Sequence, residues 1–206
     1  MEQLLASSRF LMQLTNLIRL RRPLPQLNNW TSTEELLETV ILLLKKNKPN
    51  LVVEAGSGVS SLVIGYVLKA NKRGKIYSLE HNKSFYEQTK KLIREHRLAH
   101  YCKVLYTPLR PYQIDNQGWL YYDLSCLSLK NIDLLFIDGP PGNTQSLARY
   151  PAMPLLIEKL NSHATVILDD YNRQDEQQII KEWLAEFSEF KLKALAHPRG
   201  TAILTR

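Results

Sequence analysis

Acidic side chains end several of the apolar segments in this 206-residue chain. The acids that stand at or just after short runs of Val, Ile, Leu and Phe are Glu54, Glu80, Asp138, Asp169 and Asp170. Packing alone explains them poorly, because Asp and Glu are rarely buried without a partner. Carboxylates at strand ends bind sugar hydroxyls, hold metal ions or accept protons. We therefore expect some of these acids to be functional.

A glycine-rich segment follows the first acid. Residues 51–53 are apolar, Gly56 and Gly58 interrupt the run, and apolar residues then recur at helical spacing, which predicts a strand, a tight turn and a helix. Such a turn lets the backbone approach a ligand and points helix N–H groups at it. Glu80 ends the next strand about 20 residues later, the offset at which an acid meets ribose hydroxyls. These residues predict a bound nucleoside, the alternative being an ordinary turn between strand and helix.

Strand-like and helix-like segments alternate from residue 51 onward, as is typical of a doubly wound sheet. The predicted strands lie at 51–54, 76–80, 102–106, 132–138, 164–169, 190–196 and 201–205. The predicted helices between them lie at 59–70, 84–98, 145–160 and 173–187. Only a short turn separates the last two strands, so they should pair as an antiparallel hairpin. We predict a Rossmann-like α/β fold with a seven-stranded, mostly parallel sheet, a C-terminal antiparallel hairpin and helices on both faces.

Two further helices are predicted ahead of the sheet, at 4–20 and 31–46. The second begins with a hydroxyl cap followed by acids and ends in basic residues, which suits the helix dipole. We predict an N-terminal helical addition at 1–49 and one compact domain at 50–206. The addition could cover the ligand or form a homodimer contact.

The overall composition argues against several classes of protein. The chain is 44% apolar and 23% charged, as in soluble globular proteins, and no apolar run approaches the length of a membrane span. No signal-peptide pattern begins it, so we expect a cytoplasmic protein with no membrane partner. The two cysteines lack the spacing of a zinc site, and we expect reduced core thiols.

The net charge of +7 favours an anionic partner in principle. Many of the basic residues fall between Lys69 and Lys103, and several lie opposite the apolar stripe of a predicted helix, as on a solvated helix face. No RNA-binding signature or basic tail accompanies them. We therefore expect a small-molecule substrate rather than nucleic acid.

The segment around the glycine turn resembles the class I S-adenosylmethionine-dependent methyltransferases. Their first motif is an acid, one residue and then Gly-x-Gly, and their second strand ends in an acid. The resemblance covers roughly residues 50–206 and implies S-adenosylmethionine as cofactor. The predicted cofactor-binding residues are Glu54, Gly56, Ser57, Gly58, Ser60, Glu80 and His81. His81, which follows Glu80, could contact adenine, the alternative being a polar strand terminus.

Asp138, Asp169 and Asp170 should meet at the carboxyl ends of neighbouring strands as an all-oxygen set, which Mg²⁺ prefers. Their surroundings resemble metal-dependent O-methyltransferases, especially the macrocin O-methyltransferase-like sugar enzymes, which implies that the three acids hold Mg²⁺ and that Asp138 is a base. The chain departs from that pattern at Pro140 and Pro141. A nearby Lys or Arg, or a shared proton, therefore stays an alternative to the metal.

A less characterised methyltransferase group resembles the chain more closely. The shared segments are WLYYD at 119–123, FIDGPPG at 136–142, ARYPA at 148–152 and LDDY at 168–171. Arg149 could clamp an acidic substrate and Tyr122 could line its pocket. A surface ion pair and a partly buried aromatic ring are the alternatives for the two residues.

The resemblance implies S-adenosylmethionine-dependent methyl transfer to a small-molecule acceptor at a hydroxyl oxygen, with Asp138 as the catalytic residue. An RNA methyltransferase, suggested by the charge, and a non-catalytic nucleotide-binding module of the same fold are the alternatives. A metal-using hydroxylase is more remote.

Overall fold

The computed structural model describes residues 18, 20–26 and 31–206. The helices are α1 (Glu34–Asn47), α2 (Val59–Asn71), α3 (Lys83–Glu95), α4 (Ala152–Leu156) and α5 (Gln174–Glu186). The strands are β1 (Leu51–Ala55), β2 (Lys75–Glu80), β3 (Cys102–Tyr106), β4 (Leu109–Ile114), β5 (Gln117–Tyr122), β6 (Ile132–Ile137), β7 (Leu160–Asp169), β8 (Lys191–Leu195) and β9 (Thr201–Thr205). Single turns of 3₁₀ helix lie at Leu124–Cys126 and Ile157–Lys159.

Seven of the strands form one sheet in the order β3-β2-β1-β6-β7-β9-β8. Strands β3, β2, β1, β6 and β7 are parallel, and β9 is antiparallel to both of its neighbours. The predicted fold is therefore confirmed, including the C-terminal antiparallel hairpin. The parallel strands are almost continuously apolar because helices or other elements cover both faces of the sheet.

Side chains that alternate along the strands divide the core between the two faces of the sheet. Val52 of β1 packs in a cluster with α1, α2 and α3, whereas its neighbour Val53 packs with α4, α5 and the β4–β5 hairpin. This alternation follows from the two-residue period of a strand. Cys102 is buried as expected, whereas Cys126 is exposed, so the expectation of a core thiol was wrong there.

Helix α1 begins where the sequence predicted, with the Thr33 hydroxyl accepting a hydrogen bond from the backbone N–H of Leu36 (3.3 Å). The helix packs against α2 and shares its core. The predicted helix at 4–20 lies largely outside the described residues. The division at residue 49 and the homodimer contact stay predictions. In the described part of the chain no helix is both long and apolar enough to cross a membrane.

One local prediction was wrong, and one pair of strands was not predicted. The helix expected at 145–160 is only the short α4, because the chain first makes a long turn that carries Arg149 into the protein interior. The β4–β5 hairpin was not predicted, although Asp115 and Asn116 both adopt positive φ, as a two-residue hairpin turn requires. Gln145 hydrogen-bonds the backbone N–H (2.9 Å) and C=O (3.1 Å) of Leu120 on the hairpin.

The chain reverses its direction of winding between β1 and β6, which are neighbours although four strands separate them in sequence. In open α/β sheets this is the position of the ligand crevice, at the carboxyl ends of the strands. The turn after β1 and the end of β6 lie against each other there: a methyl group placed on Gly56 would be 3.7 Å from the carbonyl carbon of Asp138. The strand order thus brings the glycine turn and Asp138 together.

Gly139 has no room for a side chain. A methyl group there would overlap the hydroxyl oxygen of Tyr122, while its next neighbours, the carbonyl oxygen of Ala55 (3.4 Å) and the Tyr122 ring (3.5 Å), would tolerate it. We expect Gly139→Ala to lower the free energy of unfolding by about 1–3 kcal/mol through overpacking, and Tyr122→Phe to remove most of that loss in the double variant. Urea denaturation of the four proteins measures the coupling. Gly142→Ala is the control, because its methyl group would meet no described atom within 4 Å. An equal loss of stability in both Tyr122 backgrounds would contradict the prediction.

Candidate active site

The glycine turn leaves open space beside the N-terminus of α2. Gly56 and Gly58 have φ values of +119° and +144°, which side chains rarely adopt. A methyl group on Gly58 would meet no atom of the described residues within 4 Å. The first turn of α2 contains no acid. A polar or anionic group can therefore approach the backbone N–H groups here, as at other helix N-termini.

Glu54 does not face this space. The side chain is fully buried and accepts hydrogen bonds from the hydroxyl groups of Ser60, Ser61 (2.5 Å) and Ser78 (2.5 Å). Ser61 also accepts a hydrogen bond from the backbone N–H of Gly58 (3.1 Å). Glu54 therefore holds the glycine turn and the start of α2 from below. Burial raises its pKa to about 7, although the three serine hydroxyls act to lower it.

Glu80 stands on the other side of the turn. Its carboxylate accepts hydrogen bonds from the Ser57 hydroxyl (2.8 Å) and from the backbone N–H of Asn82 (2.8 Å). The His81 ring lies 3.4 Å from the same carboxylate and packs edge-on against Tyr122. These contacts fix Glu80 at the end of β2 and leave it capacity for further donors, because a carboxylate has about four acceptor sites.

Asp138, Asp169 and Asp170 converge as predicted: each offers an oxygen atom, and these atoms lie within 4.8 Å of one another. Each carboxylate also uses an oxygen inside the protein. The donors are the Ser32 hydroxyl to Asp138 Oδ2 (3.0 Å), the backbone N–H of Asp170 to Asp169 Oδ1 (2.7 Å) and Arg149 to Asp170 Oδ2 (2.8 Å). Asp169 Oδ2 and Asp170 Oδ1 are buried without a hydrogen-bond partner among the described residues. Oxygen atoms in that state fit a small hard cation such as Mg²⁺.

Arg149 is the buried cation of this cluster, with 3% of its surface exposed. Its guanidinium donates to the backbone carbonyls of Asp169 (2.9 Å) and Asp138 (3.1 Å) and to the Asp170 carboxylate. It also lies 3.6 Å from Glu176 of α5. Burial lowers its pKa, but the surrounding carboxylates outweigh that effect and raise it. The alternative interpretation of Arg149 as part of a surface ion pair was wrong about where the pair lies. Arg149 does form ion pairs, but they are buried in the protein.

Two further arginines border the same carboxylates. Arg173 contacts Asp170 Oδ2 at 3.0 Å, and Arg199 lies 3.6 Å from Asp170 Oδ1 and 3.8 Å from Asp169 Oδ2. Arg199 also donates to the backbone carbonyl of Thr31. The segment just before α1 is thus held over the cluster by Ser32 and Arg199. The expected cationic partners of the acids are therefore present, although Arg199 makes no hydrogen bond to either of these two oxygen atoms.

The positive charges do not cancel the cost of burying the acids. Burial raises the pKa of Asp138, opposed by Arg149, and raises the pKa of Asp169 to about 7 with the help of the neighbouring Asp138 and Asp170 charges. Burial likewise raises the pKa of Glu176, again opposed by Arg149. A carboxyl group with a raised pKa is a better proton acceptor when ionised, which suits general-base chemistry at Asp138.

A cleft of about 630 Å³ opens onto the cluster and is large enough for a small-molecule ligand. Its walls are the loop after β6, the N-terminus of α5 and the turn between β8 and β9. The lining residues include Asp138, Asn143, Arg149, Asp170, Arg173 and Arg199. Tyr122, by contrast, is 1% exposed and sits beneath Gly139. Its contact with a substrate stays a prediction, as do the roles of the other site residues.

The sequence analysis did not predict the site contacts of three residues, Ser32, Glu176 and Arg199. The predicted hydroxyl cap of α1 is Thr33, whereas the contact of the neighbouring Ser32 with Asp138 was not predicted. Glu176 was not singled out, although it stands in the first turn of α5 and is buried. Arg199 lies in the short turn between the last two strands, where an exposed residue is the usual expectation. No spacing in the sequence reveals these contacts, because each joins segments far apart in the chain.

Comparison with known proteins identifies related domains and folds. A family model described as a methyltransferase domain matches residues 53–171, more than half of the chain. No curated protein sequence matches significantly. A methyltransferase from Geobacter sulfurreducens is 15% identical with a TM-score of 0.65, covering 97% of this chain and 96% of its own.

Two O-methyltransferase structures share the same fold. The enzyme from Bacillus cereus, in complex with SAH, is 12% identical, with a TM-score of 0.66 and coverage of 97% of this chain and 90% of its own. TomG from Streptomyces achromogenes, involved in tomaymycin synthesis and in complex with SAM, is also 12% identical, with a TM-score of 0.62 and coverage of 87% and 82%.

The raised pKa of Glu54 predicts a pH-dependent stability. Because the folded pKa of about 7 exceeds the ordinary value of 4.5, the folded state holds the proton more tightly, and stability should fall as pH rises from 4.5 to about 7. We expect this residue to contribute a decline of about 3 kcal/mol, which Glu54→Gln removes. Urea denaturation of both proteins across this pH range measures it. The exposed Glu87→Gln should leave the decline unchanged; parallel curves for wild type and Glu54→Gln would contradict the prediction.

Proposed function

Because the chain belongs to the methyltransferase-domain family, we propose that it transfers the methyl group of S-adenosylmethionine to a hydroxyl oxygen of a small-molecule acceptor. The observation that carries the proposal is the contact between the glycine turn and Asp138 at the point where the sheet reverses its winding. A cofactor on the turn and an acceptor in the cleft would then meet beside a carboxylate. The SAM and SAH complexes of the structural neighbours support this choice of cofactor.

The cofactor site would be formed by the turn, the start of α2 and the end of β2. The open backbone at Gly58 would receive the polar end of the cofactor, and Glu80 would accept hydrogen bonds from its ribose hydroxyls. Ser57 holds Glu80, while Glu54 and Ser60 act from beneath the turn rather than on the ligand. When bound, the cofactor supplies an electrophilic methyl group on a sulfonium.

The acceptor would lie in the cleft with its hydroxyl beside Asp138. Asp138 would accept the hydroxyl proton as the oxygen attacks the methyl carbon, and the carbon–sulfur bond electrons would return to sulfur. Ser32 would orient Asp138, because it occupies one of the two carboxylate oxygens. Placement of the two reactants contributes most of the rate, since the transfer needs no covalent help from the protein.

A divalent cation would be held by Asp138, Asp169 and Asp170, whose oxygens fit it. When bound, Mg²⁺ supplies Lewis acidity that lowers the proton affinity of a nearby hydroxyl. Arg149 and Arg173 neutralise Asp170 from within the protein. The nearest arginine atoms lie farther from the other two carboxylates, 3.6 Å from Asp138 and 3.8 Å from Asp169.

Cofactor binding tests the proposal without a known acceptor. Isothermal titration of wild type with S-adenosylhomocysteine should give a dissociation constant on the micromolar scale. This corresponds to a favourable binding free energy of about 8 kcal/mol. Glu80→Gln should lose roughly 1.5–3 kcal/mol, because it removes charged acceptors for the ribose hydroxyls. Glu87→Gln, an exposed acid on α3, should bind like wild type. Binding of NAD in place of S-adenosylhomocysteine would refute the proposed cofactor.

Metal binding is measured separately. Titration of wild type with Mg²⁺ should give saturable binding, and Asp169→Asn should weaken it roughly tenfold or more by removing a ligand. Asp123→Asn, which changes an acid paired with Arg110 outside the cluster, should have no effect. If wild type binds S-adenosylhomocysteine but takes up no Mg²⁺, the arginines alone balance the acids and the metal is excluded.

A further inference from the structure

Ten of the 27 Lys and Arg residues lie in four segments that lead into neighbouring strands. The segments are 45–50 before β1, 69–75 before β2, 96–103 before β3 and 127–131 before β6. Because the sheet order is β3-β2-β1-β6, the four segments lie side by side along the edge of the sheet at which these parallel strands begin. None of them contains Asp or Glu. We call this surface the basic edge.

A pocket of about 320 Å³ lies within the basic edge. It lies at the lower end of the size range of ligand pockets. Its lining includes Lys72, Arg73, Lys75, Tyr77, His100 and Tyr101. Arg73 is fixed there by a hydrogen bond from its Nε to Asn50 Oδ1 (2.6 Å). The pocket thus combines cations with three rings.

The carboxylate of Asp133, at the start of β6, does not pair with these cations. Its Oδ2 accepts the backbone N–H groups of Asn50 (2.6 Å) and Leu51 (2.9 Å), and its Oδ1 accepts the side-chain amide of Asn161. Basic residues near the ends of α1 and α2 do suit the helix dipoles. That accounts for single residues such as Lys69, but not for a pocket with cations from outside the helices, such as Lys75.

We propose that the basic edge binds single-stranded nucleic acid, with phosphates on Lys72, Arg73 and Lys75 and a base against the rings of the pocket. Proteins commonly bind single strands with basic residues along the phosphate backbone and with aromatic rings on which the bases stack. A membrane surface fits less well, because in the part of the chain that the structure describes the exposed large apolar side chains lie outside the four segments. They are Leu42, Phe85, Tyr106, Leu120 and Leu192.

The basic edge is separate from the candidate active site. The two occupy opposite ends of the parallel strands, and a five-residue strand such as β1 spans about 17 Å. Nucleic acid on the basic edge would therefore anchor the protein rather than serve as acceptor through this pocket, so the inference does not rest on methyl transfer. The expectation from sequence failed to separate these residues from Lys91 and Arg94, which do lie on the outer face of α3.

Fluorescence anisotropy of a labelled short single-stranded RNA, between about 50 and 200 mM salt, tests the proposal. We expect the triple variant Lys72→Gln, Arg73→Gln, Lys75→Gln to bind at least roughly tenfold more weakly and to lower the slope of log K against log salt by about 2. The matched control is Lys91→Gln, Arg94→Gln, Lys181→Gln, with the same loss of charge on exposed helix faces. It should lose much less.

Three outcomes would overturn the proposal. Equal losses in both triple variants would show attraction by net charge alone. Polyphosphate that binds as tightly as the RNA would show that contacts between the rings and a base add nothing to the affinity. Association with phosphatidylserine vesicles without RNA binding would show that the basic edge is a membrane-binding surface. S-adenosylhomocysteine titration of the same variants separates this test from the proposed function, because cofactor binding should be unchanged in both.

Discussion

Burial of several carboxyl groups in one small volume is the constraint on which the rest of this structure depends. Asp138, Asp169, Asp170 and Glu176 come from the ends of two strands and the start of a helix, and their mutual repulsion opposes the approach of those elements. Arg149 offsets this repulsion, because it hydrogen-bonds the backbone carbonyls of Asp138 and Asp169. Its guanidinium also contacts three carboxylate side chains, those of Asp138, Asp170 and Glu176. Removing one partner of such a buried arrangement typically costs about 3–5 kcal/mol, because the others are left uncompensated.

That requirement shapes the chain around the cluster. The loop after β6 runs as an extended turn, and α4 is short, because the chain must carry Arg149 inward before it continues to β7. Ser32 from ahead of the sheet and Arg199 from its last hairpin complete the surroundings of the acids. The candidate site is therefore assembled from both ends of the chain, and its geometry depends on how residues 31–33 dock.

The fold could be predicted from sequence because its signals are local. Apolar runs bounded by Gly, Pro and Asn mark the parallel strands, and acids at their ends mark the ligand edge. The β4–β5 hairpin carried a local turn signal in Asp115 and Asn116. Its aromatic residues at 119–122 were interpreted as part of a family motif rather than as a strand. The side-chain contacts were beyond reach. Glu54 matches a cofactor motif, yet three serines from two segments enclose it, and only the tertiary packing of α2 against β2 reveals that.

The amide of Gln145 has a consequence for how this protein behaves among copies of itself. A two-stranded hairpin offers a free row of backbone groups to any passing extended chain, and unprotected edges of this kind seed aggregation. By bonding both the N–H and the C=O of Leu120, Gln145 imitates one residue of a third strand at the middle of that row. Leu120 itself is apolar and exposed, so an unprotected edge at this residue would be prone to aggregation. A single side chain thus blunts the edge against intermolecular strand addition.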